Sequence, residues 1–154
     1  MTIWTPSTAI KVKVIGLAWR GDELLLAEVE ESSGRVKGAR PLGGCVEFGE
    51  TREQALHREF EEELGCGIKL AGPWHSFENI YDHEGETGHE YLFAANIILA
   101  DTTLYTKEKI AFLEDDGTGC SARWCRPTAL PAGIDLYPLE LLALFDAGVV
   151  APPR

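Results

Sequence analysis

Residues 44–66 read GCVEFGETREQALHREFEEELGC. A glycine pair, Gly43 and Gly44, leads into a short turn, and the turn leads into a predicted helix over residues 52–64. Thr51 suits the N-cap, and Gln54 three residues later completes a capping-box pattern. Gly65 is the residue type that closes a helix in the left-handed conformation. Between positions 50 and 63 stand six glutamates (Glu50, Glu53, Glu59, Glu61, Glu62, Glu63) and two arginines (Arg52, Arg58). Like charges one turn apart on a helix repel, so something must offset them. On a wheel at about 100° per residue, Glu59, Glu62 and Glu63 share one arc. Ala55, a turn earlier, leaves that arc uncrowded. Leu56, Phe60 and Leu64 form the neighbouring apolar stripe, which anchors the helix on a sheet. Arg58 lies on the other flank, i,i+4 from Glu62, where it can orient a carboxylate.

Three carboxylates on one arc form a hard, oxygen-rich site of the kind Mg²⁺ and Mn²⁺ prefer. A cation there would polarise a phosphoryl oxygen. The adjacent glycines point to close backbone approach or to φ > 0. Charge density alone fits a solvent-exposed acidic face equally well.

Outward from this stretch, residues 10–19 and 24–29 read as a strand hairpin around the Arg20–Glu23 turn. Residues 30–39 read as a polar loop whose basic members, Arg35 and Lys37 with Arg40 just beyond, suggest a phosphate clamp or a solvated loop. Residues 45–48 read as a short extended piece. After the helix, residues 68–70 and 74–81 read as strands, 82–88 as a turn and 89–99 as a long returning strand. Residues 101–119 read as an acidic connection, with a short helical turn over 107–113. Residues 121–125 form a strand around Trp124. Residues 136–145 read as an amphipathic helix with Pro138 in its first turn. Residues 1–9 read as an N-terminal arm and 149–154 as a tail, flanking a single domain over 1–154.

The bulk properties suit one globular domain with a real core: 154 residues, 45% hydrophobic and 25% charged. A net charge of −11 argues against a generic partner in nucleic acid or anionic membrane. It does not argue against a nucleotide substrate, because a bound cation reverses the local sign. No signal-peptide pattern opens the chain, and no apolar run is long enough for a bilayer. The four cysteines (Cys45, Cys66, Cys120, Cys125) contain no CxxC pair. Reduced thiols in a cytoplasmic protein are the expectation.

The spacing adds what charge cannot. Gly44, then Glu50 after five residues, then Arg58-Glu59-Phe60-x-Glu62-Glu63-x-Gly65 after seven more, resembles the Nudix box. Every charged and glycine position is matched, and Phe60 fills the bulky apolar one. Cys66 stands where the motif is normally aliphatic. The resemblance implies the Nudix α/β/α sandwich with a mixed β-sheet. It implies Mg²⁺- or Mn²⁺-dependent hydrolysis of a nucleoside diphosphate-linked or triphosphate substrate, by water attack on phosphorus. A non-hydrolytic nucleotide-sensing module is the alternative. Carried onto this chain, the metal ligands are Glu59, Glu62 and Glu63 with the Gly44 carbonyl, and Arg58 orients Glu59. Glu50 supports the loop or an outer metal. A further acid outside the box is expected as base or ligand, with Glu108, Glu114 and Glu90 as candidates. Tyr81, fifteen residues beyond the box, resembles the base-stacking tyrosine of dinucleoside-polyphosphate hydrolases. Arg35, Arg40, Tyr81 and Glu90 are the substrate-binding candidates. Members are often dimers, and the arm at 1–9 offers a means to that.

Overall fold

The structure is a computed structural model, and it describes residues 4–153. Residues 1–3 of the expected arm, including Ile3, and residue 154 of the tail lie outside the described residues. The strands are β1 (Ile10–Arg20), β2 (Glu23–Glu30), β3 (Val36–Cys45), β4 (Ile68–Leu70), β5 (His75–His83), β6 (Glu86–Leu99), β7 (Lys109–Leu113), β8 (Gly119–Cys125) and β9 (Asp135–Leu136). The helices are α1 (Arg52–Leu64) and α2 (Glu140–Asp146), with a 3-10 turn at Thr102–Thr106.

All nine strands join one mixed, curled sheet in the order β4-β6-β1-β3-β2-β8-β7, with β5 also on β6 and β9 on β3. The pairs β1–β6 and β3–β9 are parallel. The remaining pairs are antiparallel. Strand β3 belongs to both halves. Residues 36–41 pair with β2, whereas residues 42–45 pair with β1. Side chains alternate across a strand, so the two faces of this sheet collect separate cores. Val14, Leu42, Ile97 and Leu99 pack with Leu56 and Phe60 of α1. Ile15, Leu17, Leu92 and Ala94 pack with Leu141 of α2. A helix on each side of a mixed sheet is the expected α/β/α sandwich.

Helix α1 begins as its sequence dictates. Thr51 Oγ1 accepts from the Gln54 N–H at 3.1 Å, and the Gln54 side chain accepts from the Thr51 N–H at 3.0 Å. Gly65 closes the helix at φ 61°, its N–H reaching the Glu61 carbonyl at 2.9 Å. Leu56 and Phe60 are fully buried, each contributing about 1.5–3 kcal/mol by area removed from water. Leu64 is half-buried.

Four expectations need correction. The polar segment 30–39 is not a loop: its second half enters β3, because Ala39 and Leu42 bury against β2 and β1. The turn over 82–88 shrinks to Glu84-Gly85, since β5 and β6 pair as far as His83 and Glu86. The expected helical turn at 107–113 is instead strand β7, whose Ile110 and Phe112 alternate inward. Helix α2 starts at Glu140, after β9, so Pro138 precedes it rather than occupying its first turn.

Candidate metal and substrate site

The site starts at the meeting of β3 and α1. Neither Gly43 nor Gly44 has positive φ, so close approach is the operative reason for a glycine here. A Cβ on Gly44 would overlap the Glu59 carboxylate. Without it, Glu59 lies against the strand at 2% exposure. Residues 42–45 form the outer edge of the β1–β6 half of the sheet.

Arg58 organises the surroundings. Its Nε and Nη2 donate to Glu50 at 2.7 and 2.9 Å, and Nη2 also donates to the Cys45 carbonyl at 2.9 Å. Its Nη1 donates to Glu59 Oε1 at 2.9 Å and to Glu62 Oε2 at 3.3 Å. Hydrogen bonding from Arg58 holds the Glu50 carboxyl down at about 2. Glu50 therefore braces the arginine, and the arginine aligns two carboxylates on α1.

The acids behave differently on the inner side. Burial pushes Glu59 up to about 6 and Glu63 up to about 8. Glu59 Oε2 and Glu63 Oε2 are buried without a hydrogen-bond partner. Buried carboxylate oxygens are normally satisfied, so these two mark a position where a proton or a cation could be accommodated. Ligand atoms of Glu59, Glu62 and Asp115 all lie within 4.8 Å of one another. Asp115 comes from the β7–β8 turn, where the Glu114 N–H bonds the Thr118 carbonyl at 2.9 Å. Three clustered carboxylates, of which Glu59 has an unpartnered buried oxygen, fit Mg²⁺ or Mn²⁺ by donor type.

Asp115 was not singled out by sequence. It lies far beyond the box in sequence, and only the strand pairing brings it to α1. The Asp115-Asp116-Gly117 run, typical of a hairpin turn, was the available signal. The neighbouring Glu114 is ion-paired with Arg40, and both influence Glu63 electrostatically. Glu108 is exposed just before β7 and makes no hydrogen bond or ion pair among the described residues. Arg35 is ion-paired with Glu31 and largely exposed.

Tyr81 and Glu90 stand elsewhere, on the α2 side of the sheet. Glu90 is 6% exposed. Its Oε2 meets Lys13 Nζ at 3.1 Å, and its Oε1 accepts from Asn79 Nδ2 at 2.9 Å. Lys13, Tyr81 and Glu90 line a narrow cleft closed by residues of the segment 4–9. Burial pushes the Tyr81 hydroxyl up to about 12. Sequence reasoning missed Lys13 and Asn79, whose roles depend on cross-strand register. Among the described residues no helix is long and apolar enough to cross a membrane.

Comparison with known proteins adds to this geometry. The NUDIX domain family model matches residues 9–145. No curated protein matches the chain. Among solved structures, the Escherichia coli ORF135 protein in solution is similar at 24% identity and TM-score 0.57, over 97% of this chain and 99% of that one. A NUDIX hydrolase from Nitrosomonas europaea is similar at 23% identity and TM-score 0.56, over 94% and 93%. An ADP-ribose pyrophosphatase from Streptococcus suis is similar at 14% identity and TM-score 0.53, over 95% and 97%. At these identities the likeness is one of fold.

Proposed function

The chain belongs to the Nudix family, and from that premise we propose that it is a Mg²⁺- or Mn²⁺-dependent pyrophosphohydrolase of a nucleotide-type small molecule. The observation that carries this reading is the buried Glu59 carboxylate, fitted under Gly44 with an unpartnered oxygen and with Glu62 and Asp115 beside it. Glu59, Glu62, Glu63 and Asp115 would hold the cation, with the Gly44 carbonyl at their edge. Bound there, it would supply charge neutralisation at the phosphoryl oxygens and lower the pKa of water.

The chain's own groups do the rest. Arg58 fixes Glu59 and Glu62 in one orientation and keeps both within a positive field. Water attacks phosphorus from the side of Glu62, the half-exposed member of the set. As the new O–P bond forms, the bridging P–O bond breaks and its electron pair leaves on the departing phosphate. The attacking water gives a proton to Glu62, which releases it to solvent. Arg40, paired with Glu114, lies near Glu63 and would help to screen the substrate's phosphates. Tyr81 would contact the moiety beyond them, across the edge formed by residues 42–45, whereas Glu90, with both oxygens engaged by Lys13 and Asn79, would stay out of contact with it.

A hydrolysis screen with Mg²⁺ tests this proposal. The panel spans nucleoside triphosphates, oxidised nucleotides, dinucleoside polyphosphates and nucleotide sugars, with phosphate products as the readout. Turnover of at least one class is expected. Glu62→Gln should lower it by more than about 100-fold, because losing a ligand should exceed the loss of a residue that merely positions one. Full activity in Glu62→Gln would sink the assignment. Binding without turnover across the panel would favour the nucleotide-sensing alternative.

A further inference from the structure

The sheet has several open edges, and most of them are guarded. Strand β4 is three residues long, and the open part of β3 spans only residues 42–45. Strand β7 is five residues long and opens on Lys109, two residues after Lys107. Short length and lysine are usual protections of a strand edge against pairing with another chain. Strand β5 has neither. It runs nine residues, His75–His83, and pairs with β6 without a bulge. It contains no lysine, arginine or proline. Along its other edge it forms no backbone hydrogen bond among the described residues.

The side chains of β5 divide by face. Phe77, Asn79 and Tyr81 lie on the α2 side, where Phe77 packs against the core around Leu92 and Asn79 donates to Glu90. Ser76, Glu78, Ile80 and Asp82 lie on the α1 side, and all four are exposed. Ile80, near the middle of this open edge, is 62% exposed.

This pattern suits its own copy. A two-fold axis normal to the sheet brings β5 antiparallel to a second β5 and keeps each face continuous. Residues directly opposite then share a face, which leaves few registers. An axis at Glu78 sets that carboxylate against its own copy. An axis at Ile80 sets Glu78 against the partner's Asp82. Like charges directly opposite are destabilising. An axis at Asn79, the midpoint of the strand, overlaps all nine residues and avoids both clashes. Glu78 then stands opposite the partner's Ile80, Asp82 opposite the partner's Ser76, and Tyr81 opposite the partner's Phe77. Full overlap makes about eight to ten backbone hydrogen bonds, close to the number that a typical protein interface carries. Length, charge pattern and axis all match the strand to itself, so the occupant is a second copy rather than an unrelated extended peptide.

We propose that β5 is the dimerisation edge of this protein, pairing antiparallel with β5 of a second copy across a two-fold axis at Asn79 to make one continuous sheet. The cleft that holds Tyr81 then lies beside the interface. The pairing does not depend on the proposed reaction.

Sedimentation equilibrium over a concentration series tests it, on the wild-type protein and on charge substitutions at Ile80. The wild-type protein should dimerise with a Kd of about 100 μM or lower. Ile80→Glu places like charges opposite each other twice per dimer and should weaken association by about tenfold or more. Ile80→Lys places an ammonium opposite the partner's Glu78 and should associate more tightly than Ile80→Glu by at least that margin. Adding Glu78→Lys to Ile80→Glu restores opposite charges and should restore the dimer. Each substitution alters an exposed side chain, and matching melting profiles in dilute solution confirm that the variants are folded. A wild-type monomer at about 100 μM would overturn the proposal. Equal association by Ile80→Glu and Ile80→Lys would overturn it too, because the contact would then lie on another surface or in another register.

Discussion

Glu59 and Glu90 are both buried carboxylates, at 2% and 6% exposure, on opposite faces of one sheet. Glu90 has a partner for each oxygen, Lys13 and Asn79. Glu59 has Arg58 for one oxygen and nothing for the other. A buried charge that is fully paired is a structural element whose loss leaves its partners stranded. One that stays half-paired, beside other acids, is incomplete without a ligand. The two faces therefore differ in kind: the α1 side concentrates negative charge, and the α2 side neutralises its own acid.

The largest effect should separate the two glutamates outright. Glu59→Gln should abolish hydrolysis by more than about 100-fold and leave the melting temperature of the metal-free protein equal or higher, since a buried charge is removed. Glu90→Gln should do the reverse on stability, costing about 1–3 kcal/mol by stranding Lys13 and weakening the Asn79 contact. Kinetics and thermal melts on both variants check this, and matching stability losses would erase the distinction.

Asp115→Asn should come next, lowering metal affinity by about 10- to 100-fold, because it removes one carboxylate but spares the α1 pair. A Mn²⁺ titration of the variant measures this. An unaltered affinity would remove the β7–β8 turn from the site.

The smallest effect is a dependence of stability on pH, and its sign differs between groups. Glu63 and Glu59 have folded values of about 8 and about 6, above the ordinary 4.5. The folded state holds their protons more tightly, so their contribution is full below about 4.5 and fades as pH rises toward 8. Glu50 runs the other way: its folded value of about 2 contributes stability above 4.5 that disappears as pH falls. In EDTA the melting temperature should decline from pH 5 to 8, and Mg²⁺ should reverse that decline. Melts across this range, with and without Mg²⁺, check both halves.

How far the sequence could be read follows the same division. The α1 side was legible because its parts are local. Thr51, Gln54 and Gly65 set the ends of one helix, and i,i+3 and i,i+4 spacing placed Glu59, Glu62 and Glu63 on one arc. Asp115 escaped because strand pairing, not spacing, brings it there. The α2 side was nearly illegible. Its cleft draws Trp4, Lys13, Tyr81 and Glu90 from separate elements, and Lys37 reads as part of a polar loop until β3 is known to run through it. Strand β7 was missed for a milder reason: Ile110 and Phe112 alternate with period two, but over too few residues to outweigh the acidic surroundings.

The most direct test of the metal account is calorimetric titration with Mn²⁺ at pH 7 in two buffers of different ionisation enthalpy, on the wild-type protein and Glu59→Gln. The account predicts binding by the wild-type protein with net proton release, because raised carboxyl groups must give up protons to the cation, and loss of that binding in the variant. Mn²⁺ binding of equal strength in Glu59→Gln, or no binding to the wild-type protein, would contradict it.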